Sequence, residues 1–520
     1  MTRTMSLVAG AGVLLYAGAA LTTDLLDALP ARASTESQAA VPRNVIIILS
    51  DDHRYDFMSF MKRAPAFLET PNLDRMASGG LHVRNAFVTT SLCSPSRASI
   101  LTGQYAHRHG VVDNSSPIPP GTVFFPQYLR RAGYSTAYIG KWHMGEDAGS
   151  DRPRPGFDHW ISFRGQGTYV DPTLNVNGRS AAVRGYTTDV LTDSAVAWLG
   201  RRDRGAGAKP FFLMLAHKAT HAEFTPPARY ATRYDSVRIP YPPTMANTES
   251  NYRDKPRWVR AQRGSWHGVD YAYHGTLDFD GFYRSYGETL LAMDDGVGRV
   301  LDELERSGLA RSTAVVYMSD NGFMLGEHGL IDKRNAYEES MRIPMLVWAP
   351  GWIAPGSTLE TPVRNIDIAP TMLHLAGVPW PDSLPLDGRS VLNTLGPGAP
   401  PLPAVGARRD RATGAATVAP TANEFLYEYY WEYAFPHTPT TFALRGDRFK
   451  YIYYHGIWDT SELYDLRTDS LEQVNLIGVP AYADTVRAMR TRLFDRLEST
   501  GGMQVPIRRG DWQAAERRSP

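Results

Sequence analysis

The sequence predicts an α/β fold in which a sheet is sandwiched between helices, followed by a small C-terminal antiparallel sheet with a helix. The first observation is a set of short apolar runs without polar alternation, which is typical of strands buried on both faces. These runs are residues 45–49, 137–139, 211–215, 314–318 and 345–348. The second observation is that helical patterns separate them, as expected for an α/β chain. The helical segments are residues 72–78, 125–132, 187–200 and 286–307.

The C-terminal sheet is predicted from a change of pattern after residue 421. Residues 441–445 and 449–454 alternate on either side of a Gly446-Asp447 turn, which predicts a hairpin. Residues 482–499 predict a helix that covers this sheet. The segment 428–437 mixes aromatic and acidic side chains, which either face a substrate or pack on the main domain. Packing is the favoured interpretation for most of them.

Polar side chains follow several of the apolar runs at the point where each predicted strand ends. Open α/β sheets place their sites at the carboxyl ends of parallel strands, so we expect these side chains to face one site. They are Asp51, Asp52, Lys141, His143, His217, His221, Asp320 and Asn321.

The acidic members of this set suggest a metal site. Asp51-Asp52 and Asp320-Asn321 supply four hard oxygen donors after two apolar strands. Without a thiolate cluster or a helical His pair, such donors favour Ca²⁺ or Mg²⁺ over zinc. Taken alone, each pair has a simpler interpretation, since Asp-Asp can cap a helix and Asp-Asn-Gly can form a turn.

Cys93 is the only cysteine among 520 residues. A lone buried thiol is usually a small apolar side chain. Here Ser94-Pro95-Ser96 is expected to break regular structure, and a helix is expected to open at Arg97. Cys93 would then lie at a helix N-terminus beside a guanidinium, and both features favour an anion.

These residues resemble the signature of the type I sulfatases, in which Cys-x-Pro-Ser-Arg is followed by Leu101-Thr102-Gly103. In that family the cysteine is oxidised to Cα-formylglycine, whose hydrated aldehyde is the nucleophile. The resemblance implies a large, mixed, mostly parallel sheet of the alkaline phosphatase/sulfatase type and a sulfuric ester hydrolase activity. It also implies a divalent cation, Ca²⁺ with Mg²⁺ as the alternative. Its ligands would be Asp51, Asp52, Cys93, Asp320 and Asn321.

Further motifs extend the resemblance. Lys141 and His143 stand in a Gly-Lys-Trp-His segment, Lys333 follows Gly-Glu-His-Gly-Leu-Ile-Asp, and His221 lies in a Thr-His segment where the family usually has Pro-His. The family roles imply that Arg97, Lys141 and Lys333 neutralise the sulfate oxygens. They also imply that His221 or Lys333 protonates the leaving oxygen. His143 would take a proton from the second hydroxyl of the hydrate, so that sulfate is expelled.

The substrate is predicted from sequence similarities that are less specific than the cysteine signature. Several phrases, such as residues 51–56, 124–129 and 155–160, resemble a bacterial branch of N-acetylglucosamine-6-sulfatases and mucin-desulfating sulfatases. The leading expectation is 6-O-sulfated N-acetylglucosamine of mucin or a glycosaminoglycan. A phosphoesterase or phosphonate monoester hydrolase of the same superfamily is the enzyme alternative. An inactive glycan-binding homologue ranks last, because every expected site residue is present.

The chain is predicted to divide into five parts. Residues 1–33 resemble a signal peptide, 42–395 form the catalytic domain, 396–421 a Pro/Gly/Ala-rich linker or insertion, 422–505 the C-terminal subdomain, and 506–520 a tail. We therefore expect an exported protein, periplasmic or secreted, without stable membrane insertion. The formal net charge of +1 gives no field for nucleic acid. The expected partners are a sulfated carbohydrate and, during maturation, a formylglycine-generating enzyme.

Overall fold

The computed structural model describes residues 43–145, 150–203, 205, 207–271, 278–381, 384–395 and 423–506. The predicted signal peptide at 1–33 and the predicted linker at 396–421 lie outside these ranges. So does the predicted tail, except for its first residue. These three predictions remain expectations.

The described residues contain eighteen strands and twelve α-helices. The strands are β1 (Asn44–Ser50), β2 (Leu81–Val83), β3 (Ala86–Phe87), β4 (Ser135–Lys141), β5 (His159–Phe163), β6 (Thr173–Val176), β7 (Arg179–Ala182), β8 (Phe211–Ala216), β9 (Thr313–Ser319), β10 (Met324–Leu325), β11 (Ile331–Asp332), β12 (Met345–Trp348), β13 (Ser357–Leu359), β14 (Val363–Arg364), β15 (Phe425–Tyr429), β16 (Thr440–Arg445), β17 (Phe449–His455) and β18 (Glu462–Asp465). The helices are α1 (Pro71–Gly79), α2 (Cys93–Thr102), α3 (Ala106–His109), α4 (Pro126–Arg131), α5 (Thr187–Gly200), α6 (Glu249–Tyr252), α7 (Arg257–Ala261), α8 (Phe279–Arg306), α9 (Glu338–Met341), α10 (Ile368–Leu375), α11 (Leu392–Leu395) and α12 (Ala483–Thr500).

A ten-stranded mixed sheet forms the main body, in the order β13-β2-β12-β9-β1-β8-β4-β5-β6-β7. Its central strands β9, β1, β8, β4 and β5 are parallel to one another. Strand β12 pairs with β9 in the antiparallel direction, and β6 and β7 continue the other side as antiparallel strands. The predicted mixed, mostly parallel sheet is confirmed.

The central strands are apolar on both faces because each face packs on a separate core. Ile46 and Ile48 of β1 belong to the core on one face, which also contains Leu290 and Val297 of α8. Val45, Ile47 and Leu49 belong to the core on the opposite face, which takes in residues of α2 and α10. The absence of polar alternation in these strands is therefore explained by the burial of both their faces, as the sequence predicts.

The long helix α8 begins earlier than predicted. It starts at Phe279 rather than at residue 286, and the Asp278 carboxylate accepts a hydrogen bond from the Gly281 backbone nitrogen at 2.6 Å. The residues Asp278-Phe279-Asp280-Gly281 resemble a turn in the sequence, but Asp278 acts as an N-cap. In the described parts of the chain, no helix combines the length and apolar character that crossing a membrane requires.

The C-terminal sheet has the antiparallel order β15-β16-β17-β18. The predicted hairpin is present, and the Gly446 nitrogen donates to the Phe449 carbonyl at 2.9 Å to close its turn. Helix α12 packs Met489, Leu493 and Leu497 into a core shared with the sheet. The predicted small sheet with its covering helix is therefore confirmed.

Candidate active site

Cys93 is the first residue of helix α2 and is fully buried. The prediction that the helix opens at Arg97 was wrong by four residues. Pro95 lies in the first turn, where a backbone N–H would lack an intrahelical partner in any case, so proline is tolerated there. The side-chain oxygen of Asn114 accepts a hydrogen bond from the Ser94 nitrogen at 3.0 Å and so serves this helix end.

Three buried carboxylates meet beside Cys93. Strands β1 and β9 are parallel neighbours with Ser50 opposite Ser319, so Asp51-Asp52 and Asp320 leave the sheet side by side. One oxygen from each of the three aspartates lies within 4.8 Å of the others. The Asp52 nitrogen also donates to Asp320 Oδ1 at 3.2 Å. The sheet therefore brings together the acidic residues that the sequence singled out.

Each of these carboxylates has its own cation. Lys141 donates to Asp51 through its Nζ atom. Lys333 Nζ lies 2.6 Å from Asp52 Oδ2, and Arg97 Nε lies 2.8 Å from Asp320 Oδ2. All six side chains are almost completely buried. The predicted sulfate-binding cations and the predicted metal ligands thus form one alternating cluster.

The donor set fits a hard divalent cation. Asn321 donates its amide N–H to Asp52 Oδ1 at 2.6 Å, while its Oδ1 atom is buried without a hydrogen-bond partner among the described residues. That unpartnered oxygen and the three carboxylates are the type of ligand that Ca²⁺ and Mg²⁺ take. An orphaned buried oxygen is costly in a finished structure, so its presence here favours a bound cation.

The three carboxylates of the cluster differ in how their pKa values are shifted. Burial raises the pKa of Asp52 to about 7 despite Lys333, and burial together with Asp51 raises the pKa of Asp320. For Asp51, burial opposes ionisation, but Lys141 and Arg97 outweigh it and lower the pKa. Carboxylates crowded together in this way gain from a divalent cation, which would favour the ionised form of all three.

Two histidines adjoin this cluster, and one of them, His221, has a ring nitrogen within 4.8 Å of Cys93 Sγ and an Asp51 oxygen. His143 Nδ1 lies 3.4 Å from Ser94 Oγ, and His221 Nε2 lies 4.0 Å from Asp52 Oδ2. Burial and Lys141 hold the pKa of both imidazoles well below the usual range, so both are neutral. The other candidate in this loop, His217, is fully buried with its ring close to Gly296 of α8.

Backbone geometry explains why a glycine precedes Lys141, and it gives two other site residues unusual conformations. Gly140 has φ 122°, and a Cβ atom there would lie 1.8 Å from the Ala216 carbonyl oxygen of the neighbouring strand β8. Only glycine permits that approach, which positions Lys141 directly after it. Asp52 and His143 also have positive φ values, 62° and 54°. Non-glycine residues in this region are strained, and such strain is concentrated at functional sites.

The unmodified Cys93 side chain is not the stabilised anion that its helix position suggested. Its Sγ atom lies 3.5 Å from Asp51 Oδ1. Burial and the Asp51 carboxylate raise the pKa of the thiol far above its usual range, although Lys141 opposes them. These surroundings therefore favour the protonated thiol over the thiolate.

Most residues of the aromatic and acidic segment 428–437 are buried or partly buried in the protein, in agreement with the favoured interpretation that they pack on the main domain. Glu428 accepts hydrogen bonds from His107, which joins β15 to α3. Glu432 instead pairs with Arg334 Nε at 2.7 Å, next in sequence to Lys333. The residues that sequence reasoning missed include Ser91, whose Oγ donates to the Lys333 carbonyl at 2.5 Å. Its place in the signature segment was the available signal.

Comparisons with known proteins identify the family. Residues 43–378 match the family model described as Sulfatase, and residues 413–499 match the model described as N-sulphoglucosamine sulphohydrolase, C-terminal. N-acetylglucosamine-6-O-sulfatase of Bacteroides thetaiotaomicron is 32% identical over 495 residues, which cover 85% of this chain and 83% of the relative.

Solved structures with the same fold include a complex with D-glucosamine-2-N,6-O-disulfate, described as the substrate of that protein. It has a TM-score of 0.75 and 29% identity, over 90% of this chain and 99% of that one. A phosphonate monoester hydrolase from Silicibacter pomeroyi shares the fold with a TM-score of 0.69 and 23% identity, over 88% and 95% of the two chains. The resemblance carried by Cys93 and its surroundings is confirmed: the chain belongs to the sulfatase family, the sulfuric ester hydrolases.

Proposed function

We propose that this sulfatase hydrolyses the sulfate esters of a glycan, with 6-O-sulfated N-acetylglucosamine of mucin or a glycosaminoglycan as the leading substrate. The observation that carries the reaction is the buried cluster in which Asp51, Asp52 and Asp320 each pair with a cation beside Cys93. The sugar is suggested by the relative named N-acetylglucosamine-6-O-sulfatase and by the complex with a 6-O-sulfated glucosamine.

The metal in this proposal is Ca²⁺, with Mg²⁺ as the alternative. Asp51, Asp52, Asp320 and Asn321, with the side chain at position 93, would hold it. When bound, the cation would supply positive charge against the oxygens of the sulfate group. Because it would share the carboxylate oxygens, the donors of Lys141, Lys333 and Arg97 would become available to the substrate.

The chain's own residues would then divide the remaining work. Arg97, Lys141 and Lys333 would neutralise the charge that develops on the sulfate oxygens. His221 and Lys333 both face Asp52 and are the candidates to protonate the leaving oxygen. Lys333 would do so directly from its ammonium group, whereas the neutral imidazole of His221 would first have to take up a proton. His143 lies beside Ser94, next to the nucleophile, and its neutral imidazole is suited to accept a proton.

Maturation of Cys93 to formylglycine is a separate part of the proposal. The hydrated aldehyde would provide the nucleophile that the protonated thiol does not. Since Cys93 is fully buried, a formylglycine-generating enzyme would have to act before the chain folds. The apolar stretch within residues 1–33 supports export by a signal peptide, to the periplasm or the outside of the cell.

The experiment is turnover by purified protein whose formylglycine content has been measured by mass spectrometry across Cys93. The panel contains N-acetylglucosamine 6-sulfate, its 3-sulfate and 4-sulfate isomers, and matched aryl sulfate, phosphate and phosphonate esters. Preference for the 6-sulfate supports the proposal. Preference for another isomer contradicts the substrate, and preference for the phosphonate supports the second candidate, a phosphonate hydrolase. That candidate is suggested by the shared fold alone.

A further inference from the structure

The loop after β8 carries a lysine that the cluster described above does not use. Residues 217–221 are bonded directly to the metal-site strand, because the His217 nitrogen donates to the Leu49 carbonyl at 2.8 Å and the Thr220 nitrogen donates to the Asp51 carbonyl at 2.7 Å. Within the loop, the His221 nitrogen donates to the Lys218 carbonyl at 2.9 Å. Lys218 and His221 are thus held together in one turn beside Asp51.

The Lys218 side chain is buried without a carboxylate. It is 5% exposed, and among the described residues the structure records neither a hydrogen bond nor an ion pair for its ammonium group. The ammonium instead lies 4.7 Å from the centre of the Tyr169 ring. Tyr169 in turn donates its hydroxyl to the His221 carbonyl at 2.5 Å. One tyrosine therefore positions both the lysine and the histidine of this turn.

Lys218 differs in this respect from the other cations of the site. Arg97, Lys141 and Lys333 are each bound to an aspartate, whereas within the described part of the chain the positive charge of Lys218 contacts an aromatic face and no carboxylate. A buried cation without a partner is costly and is typical of a position that receives an anion.

The Lys218 ammonium is also within electrostatic range of the reacting groups. Burial and Lys141 lower the pKa of Lys218 to about 8, with Asp51 and Asp52 opposing them. Lys218 in turn contributes to the lowered pKa of both His143 and His221. At neutral pH the group remains mostly protonated.

We propose that Lys218 is a further substrate-binding residue, whose ammonium contacts an oxygen of the sulfate group beside His221. Tyr169 acts as a positioning residue that holds this ammonium in place. The inference rests on the proposed sulfatase site and adds to it a contact that binds the anion in both substrate and transition state.

The test compares Lys218→Met with Lys209→Met in protein of equal formylglycine and calcium content. Lys209 is an exposed lysine just before the opposite end of β8 and serves as the matched control. For Lys218→Met we expect kcat/KM to fall about a hundredfold on both sugar and aryl sulfates. We expect the inhibition constant of inorganic sulfate to rise roughly tenfold. Lys218→Arg should retain part of the activity, and Tyr169→Phe, which keeps the ring, should lose less than Tyr169→Leu.

The stability of these variants separates binding from a structural role. Because Lys218 pairs with no carboxylate among the residues that the structure describes, Lys218→Met should have an unchanged or higher melting temperature. A lower melting temperature with unchanged sulfate inhibition would contradict the inference. So would a loss confined to sugar substrates, which would assign Lys218 to the sugar. Absence of sulfatase activity in the formylglycine-containing wild type would instead contradict the proposed function itself.

Discussion

Two buried clusters of charged residues lie on either side of the segment 332–339, and they differ in how completely their members are paired. Among the described residues, Asn321 of the catalytic cluster keeps a buried oxygen without a hydrogen-bond partner, and Lys218 beside that cluster has a cation without a carboxylate. In the C-terminal cluster, Glu462 accepts hydrogen bonds from three tyrosine hydroxyls. These are the hydroxyls of Tyr337, Tyr454 and Tyr464.

The C-terminal cluster also joins the small sheet to helix α9. Lys450 of β17 pairs with Glu338 of α9 at 3.2 Å and with Glu472, and Arg445 of β16 pairs with Glu338 at 3.2 Å. Satisfied buried networks make a structure rigid, whereas open donors and acceptors are available to a ligand. The comparison indicates that similar side chains serve attachment in one cluster and substrate chemistry in the other.

The largest expected effect comes from removing the nucleophile. Cys93→Ala should lower kcat/KM by about 10⁶-fold, because without an aldehyde precursor no covalent step is available. The melting temperature should be nearly unchanged, since only a sulfur atom is lost from the core. Cys93→Ser is the matched variant, and where the serine stays unconverted it should be equally inactive. Wild-type turnover by Cys93→Ala would contradict the assignment of the nucleophile.

Removal of the metal from the catalytic cluster is expected to have the next largest effect. Dialysis of the holoenzyme against a chelator should abolish activity and lower the melting temperature, because a ligand bound only by the native state stabilises it by about 4 kcal/mol at a thousandfold excess over Kd. Addition of Ca²⁺ should restore both properties. Unchanged activity and stability in the metal-free protein would contradict the assignment of Asp51, Asp52 and Asp320 as ligands.

The C-terminal cluster should respond in the opposite way, because its disruption should lower stability and leave turnover unchanged. Lys450→Met removes the buried cation that pairs with Glu472 and one of the two that pair with Glu338, and it should lower the free energy of unfolding by about 3–5 kcal/mol. Turnover by the folded fraction at low temperature should stay near the wild-type value, since Lys450 contacts no residue of the catalytic cluster in the described structure. Denaturant unfolding and steady-state kinetics measure the two effects. A loss of kcat without a loss of stability would remove the distinction between the clusters.

The sequence could predict the parts of this protein whose pattern is local. The central strands were found because residues such as 45–49 are apolar on both faces, and the cysteine signature identified the nucleophile helix. Strand β7 was missed because Arg179–Ala182 is short, polar and largely exposed, as is usual at a sheet edge. The pairing of Lys141 with Asp51 could not be predicted, because it depends on the contact of two strands distant in sequence. Lys218 was missed because the feature that distinguishes it depends on the fold. That feature is a buried ammonium that pairs with no carboxylate among the described residues.

The smallest expected effect concerns His107, which joins the nucleophile-bearing region to the C-terminal subdomain. His107 Nδ1 lies 2.7 Å from Glu428 Oε2, and Nε2 lies 3.1 Å from the Thr500 carbonyl of α12. Burial opposes the charged imidazole, but Glu428 outweighs it and raises the pKa of His107 above its ordinary value of 6.5. The contribution to stability is therefore complete below that ordinary value and is lost as the pH rises through the raised pKa.

Replacement of this histidine should accordingly show a pH-dependent cost. His107→Gln should lower the free energy of unfolding by about 1–3 kcal/mol at about pH 6, where the wild-type imidazole is charged, and by less at about pH 9. His455→Gln, at the exposed end of β17, is the control and should change stability little at either pH. Denaturant unfolding at the two pH values measures the difference. An equal cost for His107→Gln at both would mean that the neutral imidazole, through its packing and its hydrogen bonds, provides the whole contribution.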